Sequence, residues 1–344
     1  MKQYFILAII SAIYITLFAG SAAFWHDKFQ APYNSGNYTG QASLVSSPKS
    51  KEDIITLLFA GDIMLDRGVE FYSTQHNDWK WPFRKIASTL QEADLAFGNL
   101  ESVISDKGKN QGSIYSFRAE PEALGGLVFA GFDVLSVANN HSLDYGNDAL
   151  QDSIQRLKDS GIVPIGGGNN RYETNAPTLK HFYTSKYDST GTTIAMLAYT
   201  AAGSPLWQAG ENSPGIAWVN ESKIPEFQQD IKQAKQKADI LVVSVHFGEE
   251  YQTQPSETQK LIAKSAIDAG ADIVIGHHPH VVQLIEQYKN GWIAWSLGNF
   301  VFDQGFSKET MEGLLLEVKI ERKQITQVIP RAIRMNASLQ PELP

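Results

Sequence analysis

The sequence predicts an α/β fold, and three features predict it. Short apolar runs alternate with amphipathic stretches of helical length. Several helical stretches open beside a proline. Almost every apolar run ends in a cluster of Gly, Asp, Asn, Glu or His. Alternation of this kind builds a largely parallel sheet, because each parallel strand needs a crossover connection, usually a helix.

The apolar runs are 54–60, 93–97, 134–138, 240–245 and 273–275, each short and continuous like a strand buried on both faces. Helices are expected over 82–92, 121–130, 147–159, 224–237 and 256–269. Pro82, Pro121 and Pro255 fall where helix starts tolerate a missing N–H. Residues 281–333 are richer in strand pattern, which a second sheet packed on the first would explain. The folded domain is expected over 54–335, with 336–344 a frayed tail. No internal repeat is evident.

Residues 26–53 lack apolar periodicity and are rich in turn formers, so they read as a linker. Residues 4–25 carry no charge and are long enough to cross the roughly 30 Å hydrocarbon layer as a helix. The stretch also exceeds the roughly 7–15 apolar residues of a signal-peptide core. Residues 1–25 are therefore expected to be a single-pass anchor. Small residues at 19–23 leave a cleaved signal segment as the alternative. Lys2 and the α-amino group precede the span, and Asp27 and Lys28 cancel after it. The positive-inside rule then puts the rest of the chain outside the cytoplasm, at the cell membrane.

The chain of 344 residues is 43% hydrophobic and 19% charged, enough for a sizeable core. A net charge of −8 and the lack of any Lys/Arg block argue against nucleic acid as a partner. With no Cys, disulfides, thiolate metal sites and a lipoprotein-type anchor are excluded. Any metal must be held by imidazole, carboxylate, amide or backbone oxygen.

The polar clusters carry the chemistry. Loops that follow parallel strands gather at one sheet edge. Five such loops bear Gly61-Asp62 with Asp66-Arg67, Gly98-Asn99-Leu100-Glu101, Asn139-Asn140-His141 with Asp144, His246-Phe247-Gly248 with Glu249-Glu250-Tyr251, and Gly276-His277-His278-Pro279-His280. Taken singly, Asp62 reads as a cap or turn former, Glu101 as a surface carboxylate, Asn139-Asn140 as a turn and His246 as a core histidine. Three of the eight His residues fall within four positions, and that resists a bland reading. Together the five loops point to a metal centre.

Imidazole with carboxylate and amide oxygen suits Mn, Zn or Fe rather than Ca or Mg alone. Glu101 is able to bridge two ions, and two ions roughly 3.5–4 Å apart clamp a phosphoryl group. His141, beside Asn140, is placed to protonate a leaving oxygen. Arg67 offers a fork for phosphate or carboxylate oxygens, with a surface salt bridge as the even alternative. The run Gly166-Gly167-Gly168-Asn169-Asn170 lacks a following Lys-Ser/Thr and reads as a flexible loop, not a phosphate loop. For Trp207 and Trp218, core, membrane-facing and substrate-stacking roles all stay open.

These motifs, in this order over residues 54–305, resemble the capsule synthesis protein CapA family, also called the poly-γ-glutamate synthesis family, within the calcineurin-like metallophosphoesterase superfamily. The matches continue through Ser296-Leu297-Gly298-Asn299-Phe300 with Phe302-Asp303. The resemblance implies two packed mixed sheets flanked by helices, a four-layer α-β-β-α sandwich behind the N-terminal transmembrane helix. It implies metal ligation by Asp62, Glu101 (bridging), Asn140, His246, His278 and His280, with His141 as the catalytic histidine. Glu250, Asn299 and Asp303 would then serve the substrate cleft. Two departures stand out: Met64 where the superfamily usually has His, and Glu101 where it usually has Asp. They leave one metal position short of a ligand, so one tight ion or a weaker pair is expected.

The function implied is that of a metal-dependent phosphoesterase-like hydrolase in capsule or poly-γ-glutamate biosynthesis, with an anionic polymer and other capsule synthesis subunits as partners. A non-catalytic polymer-binding subunit of a synthesis or export complex is the alternative.

Overall fold

A computed structural model describes residues 54–183 and 191–344. The strands of its two main sheets are, in chain order, β1 (Ile54–Ile63), β2 (Leu95–Leu100), β3 (Val134–Ser136), β4 (Val163–Ile165), β5 (Thr178–Phe182), β6 (Thr192–Thr200), β7 (Ile240–His246), β8 (Ile273–His277), β9 (Ile285–Tyr288), β10 (Gly291–Ala294), β11 (Asn299–Val301), β12 (Glu312–Glu321), β13 (Gln324–Met335) and β14 (Pro341–Glu342). The first sheet runs β14-β13-β12-β1-β2-β3-β4, with β11 paired to the end of β1. The second runs β9-β10-β8-β7-β6-β5. The chemistry-bearing strands are mutually parallel, β1 with β2 and β3 in one sheet and β6 with β7 and β8 in the other. Their C-terminal ends therefore point the same way within each sheet.

Side chains alternate across a strand with period two, and each sheet uses both faces. Ile55, Leu57 and Phe59 of β1 meet Ile194 and Met196 of β6, Val242 of β7 and Ile273 of β8 in a core between the sheets. The opposite face of β1, Leu58 and Ala60, packs with Leu127 of helix Leu124–Ala130 and with Leu150, Ile154 and Leu157 of helix Gly146–Asp159. Behind the second sheet, Leu197, Leu241 and Val243 bury Phe227 and Ile231 of helix Ile224–Lys235, and Ile262 and Ala266 of helix Glu257–Asp268. Three separate cores thus divide four layers, α-β-β-α. Full burial of one such aliphatic side chain contributes about 1.5–3 kcal/mol before the entropy of ordering it is set against it.

The glycines that precede the polar clusters allow close approach. A Cβ on Gly61 would stand 1.9 Å from the Gly298 carbonyl oxygen, and one on Gly276 would stand 2.0 Å from that of Trp295. Only glycine lets these backbones crowd together, and the crowding brings Asp62 and His277 to one place.

Several expectations change in detail. Pro82 and Pro121 lie in 3-10 turns, Trp81–Phe83 and Pro121–Ala123, and the α-helices begin only at Ala87 and Leu124. The tighter turn suits a chain entering a helix. Helix Arg67–Gln75 was not foreseen, because Gly68 and its β-branched neighbours have weak propensity. The cap rescues it, since Asp66 accepts the Arg67 N–H at 2.6 Å. The end of the chain is docked rather than frayed: β14 pairs with β13, and Gln340 Nε2 donates to the Trp81 carbonyl at 2.7 Å. Gly167–Gly168, expected in a flexible loop, pairs antiparallel with Gly215–Ile216. The expected anchor and linker, residues 1–53, lie outside the described residues. Among those described, no helix is long and apolar enough to cross a membrane.

Candidate metal centre

The C-terminal ends of β1, β2, β7 and β8 and the loop after β3 deliver their side chains to one buried cluster. Asp62 ends its strand fully buried. Its Oδ1 accepts from Asn99 Nδ2 at 2.8 Å, and its Oδ2 accepts from the His278 backbone N–H at 3.1 Å. His280 Nδ1 stands 3.4 Å from Oδ2 and His277 Nδ1 stands 3.2 Å from Oδ1.

Glu101 is the centre of the arrangement. Its Oε1 is buried and accepts no hydrogen bond. Around that oxygen stand His280 Nε2 at 3.6 Å, His246 Nε2 at 3.8 Å and His141 Nε2 at 3.9 Å. These gaps are too long for hydrogen bonds, but they match the spacing of ligands that share an ion at about 2.0–2.2 Å each. Two sets of potential ligand atoms meet at Glu101, each lying within 4.8 Å: Glu101 with His278 and His280, and Glu101 with Asp62 and His246. Asn140 joins the second set, its Oδ1 2.7 Å from His246 Nε2. The donor set and its unpartnered carboxylate oxygen fit a metal ion.

The backbone is strained around this cluster. His278 (φ 98°), His280 (φ 59°), Tyr251 (φ 65°) and Arg67 (φ 53°) are non-glycine residues in the left-handed region. Such residues gather where surrounding contacts over-determine a functional geometry. The hydrogen bonds from His278 N–H to Asp62 and from Tyr251 N–H to the Pro279 carbonyl are two of those contacts.

Residues 56–304 match the family described as bacterial capsule synthesis protein PGA_cap. The chain belongs to this family. Its relatives include the capsule biosynthesis protein CapA of Bacillus anthracis, 33% identical over 280 residues, which are 80% of this chain and 66% of that protein. The PGA biosynthesis protein CapA of Bacillus subtilis (strain 168) is 33% identical over 287 residues, 82% of this chain and 72% of that one. This chain thus spans just under two thirds of the B. anthracis protein. The NAD nucleotidase of Haemophilus influenzae, a solved structure, is 12% identical with a TM-score of 0.45 over 85% of this chain and 53% of its own, too loose a likeness to argue from.

In this PGA_cap protein the six expected ligands, Asp62, Glu101, Asn140, His246, His278 and His280, come together. His141 stands at their edge. Its Nδ1 meets Asp144 Oδ2 at 2.6 Å and its ring lies against Phe117 at 4.0 Å. Arg67, Glu250 and Asp303 line a cavity of about 220 Å³ that also exposes His141, His280, Tyr115, Tyr251 and Gln304. Arg67 takes the salt-bridge alternative inside that cavity: its Nε donates to Asp303 Oδ2 at 3.1 Å, a second guanidinium nitrogen pairs with Oδ1, and its charge lies over the Phe117 ring. Asn299 is corrected. It is fully buried and does not line the cavity; its Oδ1 meets His280 Nδ1 at 2.9 Å, so it sits behind the imidazole. Met64, at the position of the missing histidine, is buried, and its sulfur accepts the Asp66 N–H at 3.1 Å.

Three residues that the sequence placed in the polar loops without a role prove to be supporting ones. Asn99 bonds Asp62 and lies 3.2 Å from His246 Nδ1. Asn139 Nδ2 donates to Asn99 Oδ1 at 3.2 Å. Asp144 orients His141. The available signal for Asn99 was its i, i+2 relation to Glu101, which puts both on one face of β2.

Burial pushes the Glu101 carboxyl well above the usual range, and the charges of Asp62, Glu250 and Asp144 push the same way. Burial would also raise Asp62, but contacts with His277 and His280 outweigh it and hold that carboxyl well below its ordinary value. Burial and then the neighbouring His280 charge bring His278 down to about 3; burial and His278 hold His246 well below its normal range. The His246 and His278 imidazoles are therefore already neutral near pH 7, whereas burial favours the protonated form of the metal-free Glu101 carboxyl. A raised carboxyl pKa contributes stability at low pH that is lost as pH rises through the folded value, so a proton and an ion compete for the Glu101 carboxyl. Calorimetric titration of the metal-free protein with Mn²⁺ at a series of pH values should show affinity rising with pH, because ligation needs the deprotonated carboxylate. An affinity that does not rise with pH would contradict ligation by Glu101.

Proposed function

We propose that this chain is a membrane-anchored, extracytoplasmic component of capsule or poly-γ-glutamate biosynthesis whose domain is a metal-dependent, phosphoesterase-like hydrolase. One observation carries the reading: the buried, unpartnered Glu101 Oε1 stands among three imidazole nitrogens, and Glu101 belongs to both sets of potential ligands. Asp62, Glu101, Asn140, His246, His278 and His280 would hold Mn, Zn or Fe. The metal, when bound, supplies Lewis-acid charge opposite a phosphoryl oxygen.

The remaining steps belong to the chain itself. Asp144 accepts from His141 Nδ1 and fixes the ring, leaving Nε2 to carry the proton that a leaving oxygen needs. Phe117 covers the His141 ring and excludes water from one face. Tyr115, Tyr251, Gln304 and Glu250 wall the cavity where a substrate would be oriented. The names of the relatives, which speak of capsule and PGA biosynthesis, support an anionic polymer as the material handled, with other synthesis subunits as partners.

A second reading, a polymer-binding subunit without turnover, draws support from Arg67, whose fork is already engaged by Asp303. The test is purified full-length protein loaded with Mn²⁺, Zn²⁺ or Fe²⁺ and offered a panel of phosphomonoesters and phosphodiesters. Metal-dependent hydrolysis is expected. No turnover on any substrate, together with binding of poly-γ-glutamate, would leave the subunit reading. Anchoring is tested by protease added to intact spheroplasts: the domain should be degraded, and a full-length chain soluble in the cytosol would sink the proposal.

A further inference from the structure

His277 has no place in either ligand set, yet it is built into the centre. It ends β8 in register with His246 at the end of β7, and its carbonyl accepts the Phe247 N–H at 3.0 Å. The side chain is 1% exposed and lies 6.2 Å, ring to ring, from Phe97. Its Nδ1 is 3.2 Å from Asp62 Oδ1 without hydrogen-bond alignment, so both ring nitrogens lack a hydrogen-bond partner. An unpartnered buried polar group costs about 1–3 kcal/mol, and an apolar side chain of similar size would avoid that cost. What the imidazole does have is contact with one ligand carboxylate.

We propose that His277 is a positioning residue that braces Asp62 for metal binding. Four groups stand against Asp62: Asn99 Nδ2 hydrogen-bonds Oδ1 and the His278 N–H hydrogen-bonds Oδ2, while the His277 ring lies beside Oδ1 and the His280 ring beside Oδ2. Removal of the His277 contact leaves Oδ1 with Asn99 alone and frees the carboxylate to turn. Groups that orient ligands in this way typically command about 10–100-fold in metal affinity. His277 acts through Asp62 and does not enter the coordination sphere. The inference rests on the reading of this cluster as a metal centre.

The experiment uses full-length protein and two variants, His277→Phe and His277→Gln, with Mn²⁺ affinity measured by calorimetry and the coordination sphere read from the visible spectrum of the Co²⁺-loaded protein. His277→Phe should keep or raise the melting temperature of the metal-free protein, because it removes an unpartnered polar group. It should weaken Mn²⁺ binding about 10–100-fold. His277→Gln, whose side-chain amide reaches toward Asp62 with a donor, should recover part of the loss, with the shape of the Co²⁺ spectrum unchanged. Wild-type affinity in both variants would overturn the proposal, and so would a changed Co²⁺ spectrum in His277→Gln, which would make His277 a ligand. If His277→Phe does not fold, the Gln variant decides by the same two measurements. Failure of the wild-type protein to bind Mn²⁺ or Co²⁺ would instead overturn the metal-centre reading.

Discussion

Glu101→Gln should empty the centre more completely than loss of any single imidazole. The substitution keeps the side-chain volume and removes the charge. Glu101 is common to both ligand sets, whereas His278 and His246 each belong to one. Mn²⁺ affinity should therefore fall by more than about 100-fold, beyond what a merely supporting residue commands. His278→Ala should weaken binding less. The metal-free variant should not lose stability near neutral pH, because burial has pushed the native carboxyl well above its usual range. A raised folded pKa means that ionised Glu101 opposes folding as pH rises, and glutamine removes that penalty. Metal content by elemental analysis and a melting curve of the stripped protein check both halves. Full metal stoichiometry in Glu101→Gln would refute the shared-carboxylate centre.

His141→Ala should separate chemistry from binding. His141 Nε2 lies 3.9 Å from Glu101 Oε1, but the residue is in neither ligand set, so metal content should stay close to that of the wild type. Turnover should fall by about 10²–10⁴-fold, the usual scale for loss of a general acid. Asp144→Asn should give a smaller loss and alter the pH–rate profile, since the 2.6 Å contact from Asp144 to Nδ1 sets which nitrogen carries the mobile proton. If His141→Ala instead loses its metal along with its activity, the histidine is a ligand and the proton must come from elsewhere. If His141→Ala keeps full turnover, the acid role fails outright.

Much of this was legible in the residues. Strands buried on both faces read as continuous apolar runs, and β1, β2, β3, β7 and β8 all begin within two residues of the expected positions. The direction of a parallel strand fixes which end its following loop occupies, so the five polar loops were placed at a common edge without coordinates. Helix Arg67–Gln75 was missed because its cap matters more than its propensities. The docked C-terminus was missed because its partners, Trp81 and β13, are chosen by packing and not by local pattern.

The site divides along the same line. Residue type and strand direction were enough to gather the polar loops at one edge and to name the kind of metal they suit, because both are local properties of the chain; the six expected ligands and the catalytic histidine came from the family resemblance. Only the tertiary structure decided that Glu101 belongs to both sets of potential ligands, that Asn299 stands behind His280, that Asp303 occupies Arg67 from 236 residues away and that His277 stands beside Asp62. Each of those is a contact between side chains on different strands or loops, set by how two sheets pack at close quarters. Periodicity carries the face on which a side chain lies, but not the atom it meets across the fold.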